Sequence, residues 1–508
     1  MNRRAFLTAT SLATLGYPLS RYYALQSTPR FSSDPFSAGV ASGDPTRNGV
    51  VLWTRLIPDP RTELDWQRGA VAVDWEIASD ERMQKIVRRG TVQTTPNEGH
   101  SVHADVSGLD SNRWYWYRFR AGSAESVIGR TKTSPANPTD RIRFAFASCQ
   151  RYHDGYYTAY KNMVREDIDL VVFLGDYIYE SSGGTGSRSF TAEEPKTLKG
   201  YRERYALYRS DENLREAHRL FPWILTWDDH EVQDNYAADK PKDDQPRDAF
   251  MRRRAAAYQA HYEWLPMPRA SKPRGLTAQV YRSLSFGPLA NFIVLDGRQY
   301  RSDQACGDGV QAPCAEFFNE RTMLGSAQEQ WLDRELRGSR AQWNILANQG
   351  RMAVVDQGSN AEQYYMDVWA GYETARRRIT SSLQNSGVQN PIVITGDIHS
   401  NWVCDLKMDY KRSNVPVVAT ELIGTSISSG GDGADTTATG TAQLAKNPHV
   451  KFYNSQRGYV RCELTRQSLT ADFRVVEKVT VPDSPVSTRA SFVVENGKPG
   501  AHRLQGSA

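Results

Sequence analysis

The stretch DLVVFLGDYIYE, residues 169–180, decides the fold. Val171 to Leu174 are apolar and suit a buried strand, Gly175 opens a turn, and Asp176 and Tyr179 follow three apart. A carboxylate and a phenol therefore stand where a core strand runs out, and that placement asks for a reason.

The pattern recurs along the chain. IRFAFAS ends at Cys149, WILTW at Asp228 and Asp229, NFIVL at Asp296, WNILA at Asn348 and Gln349, and PIVITG at Asp397 and His399. In open α/β sheets, ligands bind just beyond the carboxyl ends of the strands. A lone Asp at such an end is usually a turn or cap residue. Several that converge repel one another unless a cation neutralises them. Carboxylate, imidazole, thiolate and phenolate together suit a transition metal, and the thiolate and phenolate favour a ferric ion. Asp176, just before Tyr179, is placed to bridge to a second metal.

The chain of 508 residues is long for one core and divides by pattern. Residues 33–136 read as short alternating strands with turn signals, the spacing of an immunoglobulin-like or fibronectin-like β-sandwich. His100 and His103 fall there and read as surface or strand residues. TKTSPANPTDR is the expected linker. Residues 141–480 alternate strands with helical stretches (YYTAYKNMVRE, RRRAAAYQAHYEWL, AQEQWLDRELRG, YETARRRITSSL), which predicts a layered α/β domain. Residues 481–508 read as a C-terminal tail holding one strand and turn, RASFVVENGKPG. SISSGGDGADTTATGT, residues 426–441, reads as a long flexible loop placed to border the site.

A formal charge of +5 from scattered basic residues lacks the concentrated patch of a nucleic-acid partner. Residues 1–26 carry Arg3 and Arg4 before a short apolar run, too short for a transmembrane segment and better read as an export signal with its cut site open. Of five cysteines, Cys306 and Cys314 flank CGDGVQAPC and suggest a local disulfide. Cys404 and Cys462 either pair or are simply buried. Cys149 is left over, at a strand end.

GDYIYE, WDDHE and GDIHS resemble the motif series of the calcineurin-like metallophosphoesterases. ASCQ, the second Asp of DDHE, the Asp of GDIHS, and GVASGDP, WTRL and LDGRQYR narrow the resemblance to the PhoD-type alkaline phosphatase and phosphodiesterase family. That resemblance implies a four-layer α/β/β/α second domain. Because NRRAFLT resembles a twin-arginine signal, it also implies twin-arginine export to the periplasm or beyond. It implies an Fe(3+) site of Cys149, Asp176, Tyr179 and His399, with Asp176 bridging to a Ca(2+) site of Asp229 and Asp397. Asn348 or Gln349 joins this set as an amide-oxygen ligand, Asn348 being the favoured one. Asp234 and Asn235 are candidates for a further calcium. His230 is the implied catalytic residue at the leaving-group oxygen, and Arg298 and Arg301 either contact phosphate or form structural salt bridges. The implied activity is hydrolysis of phosphate monoesters, diesters or both by a metal-activated hydroxide. Two alternatives stand beside it: a phospholipase D-like phosphodiesterase, with Trp114 and Trp116 touching membrane unless they only pack, and a non-catalytic binder of a phosphate ligand.

Overall fold

Strands buried on both faces read as continuous apolar runs, and two sets of them form the frame of the molecule. The computed structural model describes residues 29–58, 65–181, 183–412 and 414–504, so the expected signal segment, residues 1–26, lies outside the described residues. One sheet has ten strands and the other seven. At the middle of the first, Arg141–Ala147, Leu170–Phe173, Pro222–Leu225 and Val40–Thr46 run parallel. At the middle of the second, Ala290–Val294, Trp343–Asn348, Pro391–Thr395 and Val417–Ile423 run parallel.

The two sheets face each other across a shared core in which Phe146 and Val172 meet Ile345 and Ile394. Phe144 of one sheet packs edge-to-face on Phe292 of the other, with ring centroids 5.2 Å apart. Helices Leu198–Arg209, Glu212–Leu220 and Arg247–Trp264 cover the outer face of the ten-stranded sheet. Gly325–Gly338 and Glu373–Asn385 cover the other. The result is the expected α/β/β/α sandwich.

The N-terminal half is β-rich. A five-stranded sheet built from Val71–Ala78, Ile86–Thr94, Trp114–Ala121 and two shorter strands packs on Val40–Thr46, Gly49–Arg55 and Ser101–Ser107. Those last three strands are also the end of the ten-stranded sheet, so the two halves share a sheet rather than meeting at a linker. Buried polar contacts pin the junction. Arg55 pairs with Glu263 at 3.3 Å, and the Trp53 indole donates to the Glu263 carbonyl at 3.1 Å. His100 and His103 are both buried rather than on the surface, and His103 lies on the strand Ser101–Ser107, as the strand reading has it. His103 Nε2 donates to the carbonyls of Tyr262 and Leu265, at 2.9 and 3.1 Å. Trp114 is half-buried beneath the Arg130 guanidinium, 4.1 Å from the ring centroid, and packs against the core.

At the far end, Val486–Glu495 and Lys498–Arg503 form a hairpin on the ten-stranded sheet, so the tail continues the fold. Cys306 and Cys314 are disulfide-bonded. Cys404 and Cys462 are free and buried, on strands of different sheets. No helix among the described residues is long and apolar enough to cross a membrane.

Candidate metal centre

The carboxyl ends of the parallel strands deliver their polar groups to one cavity of about 430 Å³, lined by Asp176, Asp229, His230, Asp397 and His399 among others. The loops leave their strands abruptly. Cys149, Asp176, Asp397 and His399 all take left-handed backbone, with φ of 58°, 58°, 63° and 52°. Non-glycine residues adopt this region rarely and at a cost, and such residues concentrate at functional sites. Gly175, with φ 111°, must be glycine, because a Cβ there would lie 2.5 Å from Asp228 Cβ. That close approach brings the Asp176 and Asp229 loops together.

Three groups of potential ligand atoms each converge within 4.8 Å: Cys149 with Asp176 and His399, Asp176 with Asp229 and His230, and Asp228 with Asp229 and Asp397. Asp176 belongs to two of the groups, as expected of a bridge. Tyr179 Oη joins the first, 2.9 Å from Asp176 Oδ2 and 3.0 Å from His399 Nε2.

The electrostatics are those of an anion cluster under strain. Burial pushes the Cys149 thiol and the Tyr179 phenol up, and the Asp176 charge pushes both further. Burial raises Asp176 well above the usual carboxylate range despite the pull of His230, and Asp397 up to about 7. Burial also drives His399 down to about 3, with help from Arg457, so its imidazole is neutral. Asp228 Oδ2 and Asp397 Oδ2 are buried without a hydrogen-bond partner among the described residues. Neutral imidazole, thiol, phenol and unsatisfied carboxylate oxygens are the donor set that a cation converts from a liability into a site.

His230 stands apart from the other imidazole. Its Nδ1 lies 2.7 Å from Glu180 Oε2, its Nε2 lies 3.6 Å from Asp234 Oδ1, and its ring lies 4.1 Å from that of Tyr179. Burial opposes its charge, but Glu180, Asp229 and Asp176 outweigh burial and raise its pKa well above the ordinary histidine value. Asn235 lies at the rim, donating from its amide to Asp308 at 2.8 Å, while Asp234 pairs with Lys242.

Three expected residues are held by partners of their own within the fold. Asn348 is buried with both ends of its amide engaged: Nδ2 donates to the Gly350 carbonyl at 2.6 Å and Oδ1 accepts from the Trp369 indole at 3.0 Å. No carboxylate of the cluster is among its hydrogen-bond partners. Arg298 and Arg301 are buried and neither lines the cavity. Arg298 bonds to Asp228, lies 3.4 Å from Asp229 and pairs with Asp367 at 2.8 Å. Arg301 pairs with Asp367 at 2.9 Å and with the Tyr372 hydroxyl. Of the two roles weighed for these arginines, the salt-bridge role is the one built into the fold. Arg298 neutralises carboxylates from below and holds Asp229 ionised against burial.

Sequence reading missed Glu180, Glu231 and Arg351. Glu231 accepts from the backbone N–H groups of Asp176, Tyr177 and Asp228, at 3.1, 2.6 and 2.8 Å, and ties the two loops together. Glu180 and Glu231 close the motifs GDYIYE and WDDHE, which was the available signal. The 426–441 stretch does border the cavity, but its end is not loop: Ala438–Lys446 is a helix capped by Thr437, Thr437 and Thr439 line the cavity, and Ser429 Oγ lies 2.9 Å from Tyr179 Oη.

Comparison with known proteins gives concordant matches over nearly the whole chain. Residues 144–473 match the family model of the PhoD-like phosphatases, and residues 23–135 match the model of their N-terminal domain. Over 492 residues the chain is 47% identical to alkaline phosphatase D of Bacillus subtilis (strain 168), covering 95% of this chain and 84% of that protein. It also superposes on a solved structure of PhoD with a TM-score of 0.92 and 47% identity, covering 94% of each chain.

Proposed function

This chain belongs to the PhoD-like phosphatase family and is a phosphoric ester hydrolase, and from there we propose that it is an exported phosphoesterase dependent on iron and calcium. The observation that carries the metal reading is the double membership of Asp176. One side of it faces Cys149 and His399, the other Asp229 and His230, so a single carboxylate can join two cation sites of different character. The side with thiol, phenol and imidazole suits a ferric ion; on the other side Asp229 leads on to an all-carboxylate group with Asp228 and Asp397, which suits calcium. The buried, unpartnered oxygens of Asp228 and Asp397 fit such occupancy.

Bound cations would supply a water of lowered pKa and hold the phosphoryl oxygens. The remaining work belongs to the chain. Glu180 fixes the His230 ring through Nδ1, which leaves Nε2 toward the cavity. From there His230 protonates the departing alkoxide oxygen, so the leaving group does not depart as a free anion. Arg298 and Glu231 hold the Asp228 and Asp229 turn in place from behind. Export is supported by Arg3 and Arg4 and by the Cys306–Cys314 disulfide, which suits an oxidising compartment.

The test is kcat/KM for p-nitrophenyl phosphate and bis-p-nitrophenyl phosphate, side by side, before and after chelation and after iron and calcium are restored. Activity that disappears with the metals and returns with both supports the reading. Full turnover by metal-free protein overturns it. The ratio of the two substrates sets the monoester or diester preference.

A further inference from the structure

Two cationic side chains line the cavity, and among the described residues only one of them forms an ion pair. His230 is matched by Glu180. Arg351 is 2% exposed, forms no ion pair with any described carboxylate, and leaves Nε and one Nη without a hydrogen-bond partner among the described residues. A buried, unpaired guanidinium is costly and persists where something compensates it.

The surrounding structure holds Arg351 in that position. Asn348 fastens the Gly350 carbonyl, and the Arg351 carbonyl accepts from the Trp369 backbone N–H at 3.2 Å. Glu421 and Asp397 act on the Arg351 charge without pairing with it, and Glu421 is spent on the turn: it accepts from the N–H groups of Met352 and Ala353 and from Thr395 Oγ1, each at 2.7 Å. The turn also runs beside the carboxylate cluster, since a Cβ on Gly350 would lie 3.5 Å from Asp397 Oδ2. On the other side the guanidinium carbon lies 5.4 Å from the Trp402 ring centroid, and Trp402 lines the same cavity.

We propose that Arg351 is a specificity-determining residue that receives an anionic oxygen of the substrate, on the aromatic wall of the cavity beside the metal ligands. This rests on the phosphoesterase reading above. The anionic oxygen belongs either to the scissile phosphate or to a second charged group on the substrate, and Arg351 treats both with the same charge-assisted hydrogen bonds.

The experiment compares wild type with Arg351→Met and Arg351→Lys, each verified as folded and metal-loaded. Substrates are bis-p-nitrophenyl phosphate and the matched pair of thymidine 5′-(p-nitrophenyl phosphate) with and without a 3′-phosphate; inorganic phosphate serves as inhibitor and as ligand in thermal shift. Arg351→Met is expected to lose about 10- to 100-fold in kcat/KM, the range for a hydrogen bond to a charged group, with partial recovery in Arg351→Lys. A uniform loss with a raised Ki and a smaller thermal shift for phosphate assigns the contact to the scissile group. A loss confined to the 3′-phosphorylated substrate assigns it to a second anion. Values within twofold of wild type for every substrate and for phosphate overturn the proposal. If Arg351→Met does not fold, Arg351→Gln is judged by the same readouts. Failure of wild type itself to turn over any ester would instead overturn the phosphoesterase reading.

Discussion

Glu180 Oε2 lies 2.7 Å from His230 Nδ1, a contact between two motifs fifty residues apart that decides which ring nitrogen faces the cavity. If His230 donates the proton to the leaving oxygen, His230→Ala should cost about 10²–10⁴-fold in kcat on an alkyl phosphate. The loss should be much smaller on a p-nitrophenyl ester, whose leaving group needs little protonation. Glu180→Gln should cost about 10–100-fold with the same leaving-group dependence. Equal losses on both esters would remove His230 from that role.

Asp176 shared between two ligand groups makes a distinct prediction about metal content. Asp176→Asn should lose both kinds of ion, whereas Cys149→Ala should lose iron and keep calcium, as read by elemental analysis of folded protein. Tyr179→Phe should abolish the visible band of a ferric phenolate. Retention of iron in Cys149→Ala, or of the band in Tyr179→Phe, would refute the corresponding ligand.

Glu231 is fully buried and accepts three backbone N–H groups. Glu231→Ala strands all three, a loss of about 3 kcal/mol at roughly 1 kcal/mol for each buried donor left without its acceptor. Its Tm should fall well below that of Glu231→Gln, which keeps an acceptor. Equal values for the two variants would show that the loop junction does not depend on this carboxylate.

His103 supplies a pH signature away from the metal ligands. Burial lowers its pKa from 6.5 to about 4. The unfolded chain therefore binds the extra proton between those values, so stability is fully present above 6.5 and is lost as pH falls toward 4. The loss is about 1.4 kcal/mol for each pH unit. The advantage of wild type over His103→Gln in thermal stability should shrink across that window. A gap that stays constant with pH would mean that His103 is not held neutral.

Much of the frame and the outline of the site were legible in the sequence, because a strand buried on both faces writes itself as an apolar run and its polar terminus marks where the chain emerges. Cys149, Asp176, Asp229, Asp397 and His399 were found that way. Arg351, Glu421 and the direction in which Arg298 points were not, because their meaning lies in partners up to seventy residues away and in which strands become neighbours. Periodicity carries no information on adjacency. The shared sheet escaped for the same reason: nothing in Val40–Thr46 states that it will lie beside Pro222–Leu225.

That shared sheet also sets a timetable. Arg141–Ala147, the strand that presents Cys149, takes Gly458–Thr465 as its neighbour on one side and Leu170–Phe173 on the other. Two strands beyond, Val40–Thr46 pairs with Pro222–Leu225. A ribosome must therefore deliver nearly the whole chain before the Cys149 strand has both its neighbours, and pairings this distant form slowly. On the metal reading proposed above, capture at Cys149 would follow synthesis, and a chain interrupted anywhere before residue 458 leaves the Cys149 strand as an open edge.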